Sequence, residues 1–141
     1  MGTKRVGLAR VEALMNGLKY PDGPGRLSNK VTITGDTTLS AATHAFHPIV
    51  VTSTATLTLP AVAVGHSYWI INGCKDGTLL TVSPNASDMF LFDAAGAAGT
   101  DDTDIINTAA TAKKGDFVKI SYGSADGWVI HEMGGTWVDE S

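Results

Sequence analysis

Along most of this chain hydrophobic and polar residues alternate one for one. Val31 and Ile33 take turns with Thr32 and Thr34, and Ala55, Leu57 and Leu59 with Thr54, Thr56 and Thr58 before Pro60 ends the run. Successive side chains of a strand point to opposite faces, so this pattern predicts strands with one face on a core. Shorter apolar runs continue the plan at residues 49–51, 68–71, 79–82, 89–92, 105–106, 117–120, 128–130 and 137–138. Gly, Pro, Asn, Asp and Ser separate them, as at Asn72-Gly73 and Pro84-Asn85. Short strands with turn signals about every eight to twelve residues predict a mainly β fold, a jelly-roll-like antiparallel β-sandwich. No helical period of useful length follows residue 30, and no internal repeat is evident.

One hairpin stands out within this pattern. Gly115–Tyr122 leads through Gly123-Ser124-Ala125-Asp126-Gly127 into Trp128–Glu132. Phe117 is out of step with Val118 and Ile120, which predicts a bulge or a strand covered on both faces. Trp69 and Trp128 are large enough to anchor a core layer each, and burying either would contribute several kcal/mol by area, on the order of 2–5.

The first thirty residues follow a different rule. Leu8, Val11, Met15 and Leu18 are spaced 3, 4 and 3, with Leu14 widening the stripe, which predicts a short amphipathic helix. Thr3 is placed to cap it, and Tyr20-Pro21 stops it. Gly7 and Gly17 each cost about 1 kcal/mol against alanine, and cations crowd the unfavourable N-terminal end. Such a helix is marginal alone and needs a support: its own β domain, sister helices or a partner protein. Pro21-Asp22-Gly23-Pro24-Gly25 then forms a stiff linker. The chain thus divides into a basic arm with its linker over residues 1–27 and a β-sandwich domain over residues 28–141.

Charge sharpens the division. The first thirty residues carry six Lys and Arg against two carboxylates, and the remainder four Lys against twelve, so +4 and −8 make up the net −4. Within the first thirty residues only Lys4-Arg5 are adjacent cations, and the body is acidic, which argues against a nucleic-acid partner. Charged residues amount to 17%, low for a globular protein, with Thr and Ala at 17 each and Gly at 16 filling the place. A neutral surface of this kind suits a body covered by neighbours, hence an oligomer. No apolar run approaches the roughly 20 residues of a membrane span, and the N-terminus has no apolar leader core, so neither a membrane nor a secretory role is expected. The single Cys74 rules out an internal disulfide and reads as a small buried residue.

Chemistry-bearing motifs are scarce. GxxxxGK[ST], HExxH, GxSxG and paired CxxC are all absent. His44 and His47 form HxxH without a third ligand nearby, and a surface or capping role is expected. Asp101, Asp102 and Asp104 cluster near Thr100 and Thr103 without EF-hand spacing, as solvated turn residues do. No enzyme, cofactor or metal is expected. Tyr20, Tyr122 and Trp137 are candidate aromatic contacts for a sugar, the last two equally placed to be core.

At this point a resemblance enters. Gly115-Asp116-x-Val118-x-Ile120, the Gly/Ser/Asp/Gly turn and Gly127-Trp128-x-Ile130 resemble the C-terminal strands of β-sandwich modules in tailed-phage virion proteins. Residues 56–61 and Gly65-x-x-Tyr68-Trp69-Ile70-Ile71-Asn72 look like their companion strands, and residues 7–14 with Asn16 and Leu18-Lys19 are similar to N-termini of small structural proteins of marine and cyanobacterial phages. The resemblance implies a capsid decoration or cement protein, commonly trimeric, made in the host cytoplasm and ending on the capsid surface of the virion. Its partner would be the major capsid protein, met through Lys4, Arg5, Leu8, Arg10, Val11, Met15, Leu18 and Lys19. A tail fibre or spike knob binding a host receptor or glycan is the alternative. Size favours decoration, because 141 residues hold an anchor and one knob but no shaft.

Overall fold

In the computed structural model, residues 29–141 are described, and they form two facing β-sheets. Eleven strands occur in the order β1 (Val31–Ile33), β2 (Thr37–Thr38), β3 (Pro48–Val51), β4 (Ala55–Thr58), β5 (Ser67–Asn72), β6 (Leu80–Ser83), β7 (Met89–Phe90), β8 (Ile105–Asn107), β9 (Phe117–Ser124), β10 (Gly127–Gly134) and β11 (Val138–Asp139). Among the described residues one short helix, α1 (Ala41–His44), lies between β2 and β3, and a 3-10 turn, Val62–Val64, precedes β5. Sheet A runs β1-β3-β5-β9-β10-β7 and sheet B runs β11-β8-β6-β4-β2.

The mainly β architecture expected from the alternation is present, but its pairing is mixed. β1, β3 and β5 are parallel in sheet A, and β2, β4 and β6 are parallel in sheet B. The chain therefore winds between the sheets, each odd strand in one and each even strand in the other, for three turns of a flattened coil. Parallel neighbours need a crossover, and here the opposite sheet supplies it where other folds use a helix. The expectation of purely antiparallel pairing is corrected on this point. Alternation states which residues face the core, and is silent on strand direction. Antiparallel strands close the coil: β9 on β5, β10 on β9, β8 on β6 and β11 on β8.

The register lines the apolar residues up in rows. Val31, Ile49, Ile70, Val118 and Met133 are cross-strand neighbours through sheet A, and Leu57, Val82 and Ile105 through sheet B. Ile49, Ile70, Val118, Leu57, Val82 and Ile105 are fully buried in one core shared by both sheets. Trp128 is 0% exposed and packs edge-on against Tyr68, with ring centroids 5.7 Å apart. Burial pushes the Tyr68 phenol above its ordinary range. The residues that share a row are unevenly spaced, Val31, Ile49 and Ile70 lying 18 and 21 apart. That irregularity hides the coil repeat from the sequence.

A polar clamp ties the sheets together at one end. Asn107 of sheet B accepts from Asn72 Nδ2 of sheet A at 2.7 Å, and its own amide donates to Asp116 Oδ2 at 2.8 Å and Thr136 O at 2.9 Å. Asp116 Oδ2 also accepts from Lys113 N, and Asn72 Oδ1 from Cys74 N. Every member is paired, so the clamp satisfies the rule that buried polar groups find partners. Gly135 has φ +90°, and a Cβ there would fall 2.2 Å from the Asp116 carboxyl carbon.

Candidate functional site

The outer face of sheet A carries the most unusual group of side chains in the described body. Its geometry follows from strand alternation. Tyr68 and Ile70 point into the core, so Ser67, Trp69 and Ile71 point outward on β5. On β9 the outward set is Phe117, Lys119 and Ser121. Register then places Ser67 opposite Ser121 and Trp69 opposite Lys119. Two small side chains facing each other beside a bulky pair leave a groove, with Ser67 on its floor and Trp69 and Lys119 as one wall.

The other walls come from two local irregularities. The first is in β10, where Ile130 pairs with Ile120 and Glu132 with Lys119, leaving His131 as an extra residue. A bulge of this kind re-aims a side chain. Here it sets His131 on the outer face beside Glu132, and His131 Nε2 contacts Ser121 Oγ. The second is the passage from α1 to β3. Ser40 caps α1 by accepting from Thr43 N, and its own N–H donates to His44 Nδ1 at 2.9 Å. The chain then turns through Phe46 in a left-handed conformation, φ 61°, before Pro48 opens β3. Phe46 N is held by Ser67 O at 3.0 Å. His66 is also left-handed, φ 77°, and its ring meets Phe46 edge-on at 5.5 Å. Positive φ in such side chains costs on the order of 1–3 kcal/mol and tends to mark working surfaces. Phe46 is 71% exposed, so its strain is not offset by burial of its own ring.

The resulting groove has a volume of about 320 Å³ and is lined by Phe46, His47, Ser67, Tyr68, Trp69, Lys119, Ile120 and His131. That volume is at the small end for ligand sites. Lys119 Nζ sits 5.0 Å from the Trp69 ring centroid and 2.7 Å from Glu132 Oε2. The ammonium keeps donors beyond that single ion pair. His47 Nδ1 lies 3.3 Å from Asn29 O, which anchors the start of the described chain at this groove. Beneath it, burial holds the His44 imidazole below its usual range, and the neighbouring His47 adds to the effect. A His–Ser contact is the pairing of a base with a nucleophile, but among the described residues no carboxylate hydrogen-bonds the other nitrogen of His131. The chemistry on offer is stacking, hydrogen bonding and charge.

The remaining sequence candidates are scattered. Trp69 is 40% exposed and outside the core, so its expected role as a core anchor is corrected. Alternation from Tyr68 and Ile70 forces it outward, and size alone does not decide which face a tryptophan takes. Tyr122 is exposed at the end of β9, next to His66. Trp137 is buried, with Nε1 donating to Gly134 O, which removes it from the aromatic contacts. Lys4, Arg5, Leu8, Arg10, Val11, Met15, Leu18, Lys19 and Tyr20 lie outside the described residues, as does the expected N-terminal helix.

Cys74 is buried, its Sγ 3.4 Å from Val51 O, and burial raises the thiol. Among the described residues no three His, Cys, Asp or Glu side chains gather as a metal site would require. An acidic hollow between residues 90–103 and the C-terminal residues is lined by Asp93, Asp139 and Glu140, but its two aspartates hold backbone. Asp93 Oδ1 accepts from Ala97 N and Asp139 Oδ1 from Ala94 N. Nearby, burial pushes the Asp104 carboxyl up, and Glu140 and Asp102 push the same way.

The signals that could have revealed the groove were in the sequence only in part. Ser67 and Trp69 share the strand parity that turns them outward, but their partners on β9 and β10 depend on register and on a bulge. No protein-family model matches the chain, and no curated protein matches it.

Proposed function

We propose that this chain is a non-enzymatic virion structural protein that decorates and stabilises a phage capsid by binding the lattice of the major capsid protein. The observation that carries the reading is the charge division, with +4 in the first thirty residues and −8 in the remainder. The basic amphipathic segment around Lys4, Arg5, Arg10 and Lys19 is the anchor, and the acidic sandwich is displayed. A symmetric trimer would multiply a weak anchor contact by avidity.

Two measurements test this. Quantifying the chain in purified particles should give hundreds of copies, whereas a few dozen or fewer places it in a tail. Full-length protein with Lys4, Arg5 and Arg10 changed to Glu should lose affinity for purified capsids, and added salt should weaken the unaltered protein too. Unchanged capsid affinity in the charge-reversed protein refutes the anchor.

The exposed Phe46–Trp69 groove favours a second reading, a fibre or spike knob that binds a host receptor or glycan.

A further inference from the structure

We propose that the groove on the outer face of sheet A binds a saccharide bearing a carboxylate, seated against Trp69 and Phe46. The proposal deepens the second reading above by naming the place and the ligand class, and it is independent of how the chain is anchored in a particle.

Three observations converge on the groove. Trp69 and Phe46 are exposed aromatics flanking the small hydroxyl side chain of Ser67. Aromatic faces pack against the C–H faces of a sugar ring, and the Ser67 hydroxyl can donate and accept beneath it. The backbone is also irregular on two sides, through left-handed Phe46 and His66 and the bulge that aims His131. Those irregularities hold in place the side chains that make the walls.

Charge selects the carboxylate. The described body carries twelve carboxylates against five lysines, so most of it repels an anion. The groove lining departs from that balance. Its polar lining is Lys119, His47, His131 and Ser67, with no Asp or Glu among the lining residues. Glu132 pairs with Lys119 from outside, and Lys119 keeps donors to offer. An apolar peptide would use the aromatics but not the cation and Ser67. A neutral sugar would make no charged contact with the Lys119 donors that the Glu132 pair leaves over. A carboxylated sugar meets both.

The test uses the full-length chain, titrated by calorimetry with oligogalacturonate, oligoglucuronate and sialyllactose, and with the methyl esters of the same sugars and lactose as neutral counterparts. At least one carboxylated sugar should bind, with its neutral counterpart about tenfold weaker or more, as expected for one lost charge-assisted contact. Trp69→Ala and Ser67→Leu, the latter filling the floor from the solvent side, should each abolish binding while circular dichroism stays unchanged. Lys119→Gln should remove the preference for the acid over its ester. No binding by any of the carboxylated sugars overturns the proposal, as does equal binding of acid and ester. A third result against it would be Trp69 shielded from iodide in the ligand-free protein. That would mean the groove is already filled, by the chain's own amphipathic segment or by a second copy. None of these outcomes bears on capsid affinity, so this proposal and the anchoring reading fail separately.

Discussion

Replacing Asn107 with Ala should be among the most damaging single changes in the body. The side chain is fully buried and makes three hydrogen bonds that join sheet B to β5, to Asp116 and to the turn at Thr136. Alanine removes all three and leaves their partners behind. Asn72 Nδ2 retains Thr78 O at 3.2 Å, and Asp116 Oδ2 retains Lys113 N at 2.9 Å, so two of the three are only partly orphaned. Each net bond contributes about 1 kcal/mol, more where the acceptor is a carboxylate, and a buried group left short costs about 1–3 kcal/mol. The sum is about 3–5 kcal/mol, a large share of the roughly 5–15 kcal/mol that holds a domain together. Urea unfolding followed by tryptophan fluorescence should show a midpoint lowered by about 2 M if the slope is about 2 kcal/mol/M. The contrasting Asn107→Asp should also destabilise, because it sets a second carboxylate against Asp116. A loss below about 1 kcal/mol in the alanine protein would refute the clamp as a main tie between the sheets.

Other consequences are as direct. Iodide should quench the fluorescence of Trp69 and spare Trp128 and Trp137, because only the first is exposed; complete protection of all three would contradict the groove. Trp128→Ala should cost about 3–5 kcal/mol and Trp69→Ala clearly less, as parallel thermal melts can measure. Gly99→Ala should fail to fold or lose stability sharply, since a Cβ would fall 1.6 Å from Phe90 O, and soluble yield with circular dichroism reads this out. Asp104 has a raised folded pKa, so the folded state binds its proton more tightly than the unfolded chain. Its contribution to stability is therefore lost as pH rises through the window between the unfolded and folded values. Asp104→Asn should stabilise the protein at neutral pH, with the gain shrinking in acid, and melts across pH 3–7 (an approximate span around ordinary carboxylate values) would show it.

Some of this was legible in the residues and some was not. The alternation at Val31–Thr34 and Thr54–Leu59 reports burial directly, because a strand turns every second side chain to the core. So did the hairpin of β9 and β10, whose turn residues and Trp128 are contiguous in the chain. Local chemistry of this sort is written within a few residues, and so are the charge division and the absence of familiar catalytic motifs. Trp69 shows the limit. Its size suggested the core, while its parity with buried Tyr68 and Ile70 puts it in solvent.

What the sequence by itself determined, then, is the strand content, the inward and outward parity of each strand, and the break between a basic segment and an acidic body. Tertiary structure alone decided the rest. Strand direction and sheet membership come from how the chain winds, and uneven intervals of 18 and 21 residues between matched positions conceal that winding. The groove exists because register brings Ser67 to Ser121 and Trp69 to Lys119, residues more than forty positions apart in each pair, and because one extra residue in β10 turns His131 outward. Alternation constrains each strand against the core. Only the pairing of distant strands, paid for by the apolar rows they share, sets which outward side chains become neighbours.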